Sequence, residues 1–360
     1  MAQFSPSRND IAPVCVEDEG LVYSGALGVS YPLMSGNYGV DPTLVLADDG
    51  IWTVNSENPF QLDLGTHEIN VHNSTLSRTK DLLGVRLWRI NFTFPMMGGT
   101  GAAIALRWID VATAGGLDYD AAVVGTPNGV IMTPSSLQKQ RSSTMACEYD
   151  GATHKSSGVV GGFTISSRVG EGLLYTFDGL GLYQAPVLGT LGTVYTGETW
   201  GAGNDNAAAF LGAGATIRRS VSATGSATSR TYAATVLSFN FQYNATIGRI
   251  KSANATDGLQ MLLAVNRNPR LDIVFNMDVD SASQLTYPQI YSDTMSSYAY
   301  DISFTHTDLG SRTFTFNFPN AQCTRPSVAS GGEGVREITM SCKLAKVAAG
   351  GNDEFYIQQT

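Results

Sequence analysis

The sequence predicts a mainly β protein in two halves of similar element order. Three observations lead there. In the last sixty or so residues, three runs alternate apolar and polar side chains: Tyr300, Ile302 and Phe304; Phe314, Phe316 and Phe318; Ile338, Met340, Cys342 and Leu344. Period-2 alternation sends successive side chains to opposite faces, so each run is a strand with one apolar and one polar face, and the set is an antiparallel meander wet on one side. A second such meander lies near mid-chain: Met145, Cys147 and Tyr149, then Phe163 and Ile165, then Leu173, Tyr175 and Phe177. Composition agrees, since only 15% of the 360 residues are charged, 43% are hydrophobic, and 39 are glycine. Low charge with many turn formers suits an all-β chain and a surface partly hidden in an assembly.

Taken in order, residues 1–60 carry acids (Glu17, Asp18, Glu19, Asp48, Asp49) among Gly and Pro, with short strand-like pieces at Leu21–Tyr23 and Leu44–Leu46. They read as an irregular arm or long loop. Leu62–Val71 reads as a strand, and so does Leu87–Phe94, where Trp88, Ile90, Phe92 and Phe94 oppose Arg89, Asn91 and Thr93. Pro95 ends it, because proline cannot donate to a central ladder. After Gly98–Gly101 the period changes: Ile104, Trp108 and Ala112, with Ala105 and Ile109 beside them, predict an amphipathic helix of about three turns, stopped by Gly115-Gly116. The mid-chain meander follows, with turns at Asp150-Gly151 and Gly170-Glu171-Gly172.

From Gly189 to Arg230 the chain turns to Gly, Ala, Ser and Thr, the best candidate for a boundary. This gives a first domain over 1–190 with its N-terminal arm, a linker or assembly loop over 191–230, and a second domain over 231–360. The second half then offers the strands Val236–Tyr243 (Leu237, Phe239, Phe241 and Tyr243 on one face) and Leu271–Val279, a short helical or turn segment at Leu285–Ser292, and the closing meander. Both halves read strand, strand, short helix or turn, meander, which suggests internal duplication.

Charge and cysteine usage narrow the function classes. A net charge of −9 opposes tight binding of nucleic acid through clustered Lys and Arg. Cys15, Cys147, Cys323 and Cys342 show no C-x-x-C spacing, so neither a zinc site nor a disulfide framework is signalled, and Cys147 and Cys342 read as buried thiols. The N-terminus lacks a basic region followed by an apolar run, and no segment reaches ~18 uninterrupted apolar residues, so a protein without membrane insertion is expected.

The chemistry-bearing patterns are near misses. His67-Glu68-Ile69-Asn70-Val71-His72 places its histidines five apart on a strand-like run, which sends the rings to opposite faces and defeats a zinc reading. His154 and His306 have no adjacent nucleophile motif, and Gly99–Gly101 and Gly179–Gly181 follow no βαβ pattern that would cradle a phosphate. Asp48-Asp49, Asp118 with Asp120, and Asp278 with Asp280 read as solvated turn and strand-end carboxylates. Sequons at Asn73, Asn91, Asn244 and Asn254 matter only in a glycosylating compartment. No catalytic, cofactor-binding or metal-binding residue is assigned.

The pattern resembles a family. The run Asn73–Gly101, an arginine-bearing strand leading into a Gly-rich helix start, looks like the first half of the major tail tube proteins of long-tailed bacteriophages. Glu148-Tyr149-Asp150-Gly151, Asn266-Arg267-Asn268-Pro269-Arg270 and Phe318-Pro319-Asn320-Ala321-Gln322 are similar too. The resemblance runs from about Leu62 to the end and is to the variety with two fused tube domains. It implies two tandem tail-tube-type β-sandwich or half-barrel domains, each with a short flanking helix. It also implies a non-enzymatic virion structural protein, assembled in the host cytoplasm. Three chains would then make a pseudo-sixfold ring, and stacked rings would form the tail tube. Its partners would be further copies of itself, a tape-measure protein, and tail terminator and tail-tip proteins, with DNA passing through unspecifically. A tail-tip or capsid decoration protein, a carbohydrate-binding β-sandwich, or a β-rich hydrolase with a carboxylate pair remain alternatives.

Under that reading the polar parity lines the channel: Arg89, Asn91 and Thr93 in the first half, Asn240, Gln242, Asp272 and Asn276 in the second. Trp88, Ile90, Phe92, Leu237, Phe239, Phe241, Ile273 and Phe275 must then face the core, because a one-residue slip would turn the aromatics to water. The stretch Gly197–Ala215, centred on Asn204, Asp205 and Asn206, is expected to contact the next ring.

Overall fold

The computed structural model describes residues 13–21, 23–24, 33–34, 39, 50–54, 58–67, 82–96, 107–120, 130–136, 140–149, 152–188, 210, 214–219, 231–255, 258–276, 287–296, 298–307, 313–324, 326–330, 336–347 and 353–359. The first half runs β1 (Pro13–Leu21), β2 (Tyr23–Ser24), β3 (Leu33–Met34), β4 (Gly50–Trp52), β5 (Phe60–His67), β6 (Leu82–Pro95), α1 (Arg107–Ala114), β7 (Leu117–Asp120), β8 (Val130–Pro134), β9 (Arg141–Tyr149), β10 (Ala152–Arg168), β11 (Leu174–Tyr183) and β12 (Val187–Leu188). The second runs β13 (Gly214–Arg219), β14 (Thr231–Gln242), β15 (Ala245–Lys251), β16 (Leu259–Arg267), β17 (Arg270–Asn276), α2 (Tyr287–Met295), β18 (Tyr300–Thr307), β19 (Thr313–Cys323), β20 (Ser327–Ser330), β21 (Arg336–Leu344) and β22 (Tyr356–Gln359). The protein is mainly β, and every pairing among the described residues is antiparallel.

The pairings trace two rings of the same circular order. In the second half β13 pairs β14, β14 pairs β17, β17 pairs β21, β21 pairs β19, β19 pairs β18, and β18 returns to β13. In the first half β4, β1, β9, β10, β11 and β6 follow one another. That circle closes where the Val54 N–H, just past β4, donates to the Thr93 carbonyl of β6 at 2.8 Å. Each ring places a helix between matching strands, α1 after β6 and α2 after β17. The β15–β16 hairpin stands between β14 and β17 much as β5 stands between β4 and β6.

Both rings are filled by the parity that the alternation marks as apolar. Ile90, Phe92, Phe163, Ile165, Tyr175 and Phe177 are buried in the first, and Phe239, Phe241, Ile273, Phe275, Phe304, Phe316 and Met340 in the second. The two interiors merge into one cluster. Its joint is aromatic: Phe163 of β10 stacks on Tyr243 at 5.0 Å between centroids and meets Phe241 edge-on at 5.6 Å. Such pairs contribute ~0.5–1.5 kcal/mol beyond their buried area. Burial pushes the Tyr243 phenol up to about 12, so it stays a neutral donor to the Gly116 carbonyl at 3.0 Å. Close approach of β10 to β11 requires glycine. Gly161 and Gly179 are directly opposed, the Phe177 ring lies over both, and a Cβ on either would stand 2.6 Å from its Cζ.

Several expectations are corrected. Residues 13–21, expected within an irregular arm, form β1, which pairs β9 with Val14 and Val16 buried. The reason is Glu19: its carboxylate is satisfied by Ser142 Oγ at 2.7 Å, Thr144 Oγ1 at 2.5 Å, Gly39 N at 2.9 Å and Gly158 N at 2.8 Å. An acid in an apolar strand reads as loop until its donors are known. The 191–230 stretch is also more than a linker, since β13 closes the second ring and Phe210 is completely buried. Cys342, expected as a thiol, is disulfide-bonded to Cys323, which the β19–β21 register places directly opposite; Cys147 is a buried thiol. The first helix is shorter than three turns as described, with Trp108, Val111 and Ala112 buried; Ile104 and Ala105 lie outside the described residues. Leu62 and Leu64 of β5 are exposed, at 44% and 41%. Leu44–Leu46, residues 68–72, and the turn Asp150-Gly151 also lie outside the described residues.

The second helix is pinned by charge. Asp293 of α2 accepts from Arg219 Nη1 of β13 at 3.0 Å and from the Tyr232 hydroxyl of β14, and all three are buried. Removing one member of a buried pair leaves the other uncompensated. Asp293→Ala is therefore expected to destabilise the protein by ~3–5 kcal/mol in denaturant unfolding, while Arg219→Met with Asp293→Leu recovers most of that loss.

Candidate functional site

The two rings are spliced by one long strand. β10 spends its first part beside β9 and its last, Thr164–Arg168, beside Gln242–Ser238 of β14, while β11 runs along its other edge. The result is a sheet of eight strands in the order β5, β6, β11, β10, β14, β17, β21, β20, crossing both halves without a break. One face covers the core. The other carries all seven residues read as channel-lining.

The register sets them in rows. Thr93, Thr176, Thr164, Gln242, Arg270 and Lys343 stand opposite one another across six strands. The next row runs Ser166, Asn240, Asp272 and Ser341, and Asn276 lies opposite Thr235 and Glu337. Arg89 and Asn91 continue the face on β6, opposite Leu180 and Asp178. Arg89 and Asn91 are exposed and the other five half-buried. Thr93 and Thr176 share a hydroxyl hydrogen bond of 2.9 Å, and Arg89 pairs with Asp178 at 3.3 Å. That pair is half-exposed, so it contributes at most ~1 kcal/mol. Among the described residues the amide oxygens of Asn240 and Asn276 accept no hydrogen bond.

Two features of this face are not apparent from the sequence. A bulge between Val236 and Ser238 shifts the β14 register, so Val236 is the buried residue and Leu237, assigned to the core, is only half-buried. Beyond Arg89 the outward parity turns apolar with Val85, Leu87, Leu180 and Leu182, and the β15–β16 hairpin lies over that end. Its sequence signal is the run of apolar residues Val85, Leu87, Leu180 and Leu182 on the polar parity. Arg249 of the hairpin and Asp63 of β5 pair at 3.2 Å there. Asn244, at φ 49°, turns the chain from β14 into the hairpin, and its amide donates to Asn268 O at 3.3 Å.

The face is not acidic. Beyond the hairpin, its six inner strands carry Arg89, Arg168, Arg270 and Lys343 against Asp178, Asp272 and Glu337. Asn204, Asp205 and Asn206 lie outside the described residues.

Elsewhere, a cavity of about 340 Å³ opens between β16 and the C-terminal segment, lined by Gln140, Tyr243, Asn266, Arg267 and Glu354 among others. Arg267 donates to both Glu354 oxygens, at 3.0 and 3.2 Å, and to Ser135 O at 2.6 Å, so the site's charges satisfy each other. Asp118 is half-buried in β7, two residues before Asp120 on the same strand, and Asp48, Asp49, Asp278 and Asp280 lie outside the described residues. Among the described residues no three His, Cys, Asp or Glu side chains are placed to hold a metal, and no helix is long and apolar enough to cross a membrane.

No protein-family model matches the chain, and no curated protein matches it.

Because the face is outward, lysine at Asn240, Gln242 and Asn276 is expected to leave folding intact, as read by an unchanged far-UV spectrum and a denaturation midpoint close to that of the parent chain. Loss of folding in the triple variant would mean that these side chains point into the core.

Proposed function

We propose that this chain is a structural subunit of a phage tail tube, and that copies of it join through the ends of the eight-strand sheet so that its polar faces line a channel. The observation that carries the reading is that one sheet, wet on one face, spans two rings of identical strand order. Its described ends are β5 and β20, each paired on one side only. Open edges in a monomer invite association, and closure into a barrel removes them.

Two rings per chain mean that three chains supply six equivalent positions. This is the support for trimers with pseudo-sixfold symmetry, and for two tandem tube-type domains as the unit of the duplication. The filled ring interiors leave the channel to be formed between rings and chains, because Phe92, Phe177, Phe241 and Phe316 occupy the space inside. A conduit needs no catalytic group, and DNA, a tape-measure protein, and terminator and tip proteins are the partners that this role entails.

Electron microscopy and native mass measurement of the purified chain test the reading. Trimeric rings that stack into hollow tubes are expected; a stable monomer, or hexamers of whole chains, would overturn it.

Stacking offers a second test. Shortening the chain around Asn204-Asp205-Asn206, while keeping Phe210 and β13, should leave rings but block tubes. Tubes of ordinary length from that variant would remove the loop from the stacking contact.

A further inference from the structure

On the wet face one row departs from its neighbours. Gln242 stands opposite Arg270, Arg270 opposite Lys343, and Lys343 opposite Gln322 of β19, so two cations lie side by side between two amides. Arg270, Lys343 and Gln322 are exposed and Gln242 is half-buried. Arg89 and Arg249 meet acids, whereas neither Arg270 nor Lys343 makes an ion pair among the described residues. Asp272 stands one row away, opposite Ser341, and offsets part of the charge.

Like charges directly opposed on a ladder are destabilising. No described acid pairs with either exposed cation, so beyond the partial offset from Asp272 the row is open to an external anion. We propose that the Gln242–Arg270–Lys343–Gln322 row is a contact site for the phosphodiester backbone of double-stranded DNA.

The donor set fits. A guanidinium offers a planar fork and an ammonium a point charge, both suited to phosphate oxygens, and each flanking amide adds a further donor. Continued through Thr164, Thr176 and Thr93, the row carries hydroxyls and no apolar side chain. An acidic peptide would need apolar or shaped subsites for its side chains; a sugar-phosphate backbone needs only charge and hydrogen bonds. The contact is shallow and made by two cations per chain, so it positions a passing duplex without sequence readout. The choice of DNA as the polyanion rests on the tube reading, while the anion site itself rests on the register alone.

The test measures fluorescence anisotropy of a labelled duplex of about 20 base pairs with the full-length chain, at concentrations below stacking, over a salt series. Arg270→Gln with Lys343→Gln is expected to weaken binding roughly tenfold and to lower the slope of log affinity against log salt by about 2, one contact for each lost cation. Its melting temperature should hold or rise, because a repulsion is removed. The charge-matched Arg249→Gln with Lys251→Gln, on the hairpin, should leave the slope unchanged. No duplex binding by the parent chain at low salt, an unaltered slope in the first variant, or an equal loss in the second overturns the site. Polyglutamate binding as tightly as the duplex overturns its assignment to phosphate. Duplex binding that depends on Arg270 and Lys343, in a chain that never forms rings, would sink the tube and leave the site standing; rings without such binding would do the reverse.

Discussion

Strand β10 has to satisfy two different neighbours along one edge, and the rest of the architecture depends on that. Its seventeen residues exceed what either ring needs. The bulge between Ser156 and Val159, beside Gly158 at φ 60°, is where its pairing with β9 ends before it runs on to β14. Glu19 stabilises this point, because its carboxylate accepts the Gly158 N–H and ties β1 and β9 to the bulge. Without the splice the two rings would be separate barrels with separate outer surfaces. With it, their outer strands share one register, and polar side chains from both halves fall into common rows.

The shared register also explains why the core is continuous. Outward polar rows on β10 and β14 require inward rows of Phe163, Ile165, Phe239 and Phe241, which meet across the joint. A slip of one residue at Thr164↔Gln242 would expose four aromatic or branched side chains and bury Thr, Ser, Asn and Gln. The penalty for such a slip is many times the stabilisation from any single ion pair on the wet face, so hydrophobic burial specifies the face and the polar residues follow.

How much of this is legible in the sequence follows the same logic. Strands whose inner residues are large and whose outer residues are polar, such as Leu87–Phe94 and Phe314–Phe318, announce themselves by period. All seven residues assigned to the polar parity lie on the outward face for that reason. β13 is hidden because its inner residues are Ala215, Ile217 and Arg219, one small, one branched and one charged, and the arginine is an inward residue through partners distant in sequence, the Asp293 carboxylate and the Tyr298 ring. Leu237 is misplaced because a bulge adds a residue without changing composition. The Cys323–Cys342 bond depends on a three-residue ladder between β19 and β21, a long-range register that local alternation does not encode.

Net charge is the least informative property, because charge acts locally. The chain carries −9 overall, yet the wet strands beyond the hairpin hold four bases and three acids. At physiological salt, charges more than about 8 Å apart on exposed surfaces scarcely interact, so acids elsewhere on the molecule do little to a polyanion lying on this face. What such a polyanion meets is the sequence of rows: hydroxyls across β6, β11 and β10, amides on β14, then two adjacent cations on β17 and β21. Under the tube reading three chains would repeat that order around a channel, alternating weakly polar and basic sectors. A surface of that kind would keep contacts few and salt-sensitive, which suits passage better than either a uniformly acidic wall, which repels entry, or a uniformly basic one, which retains the cargo.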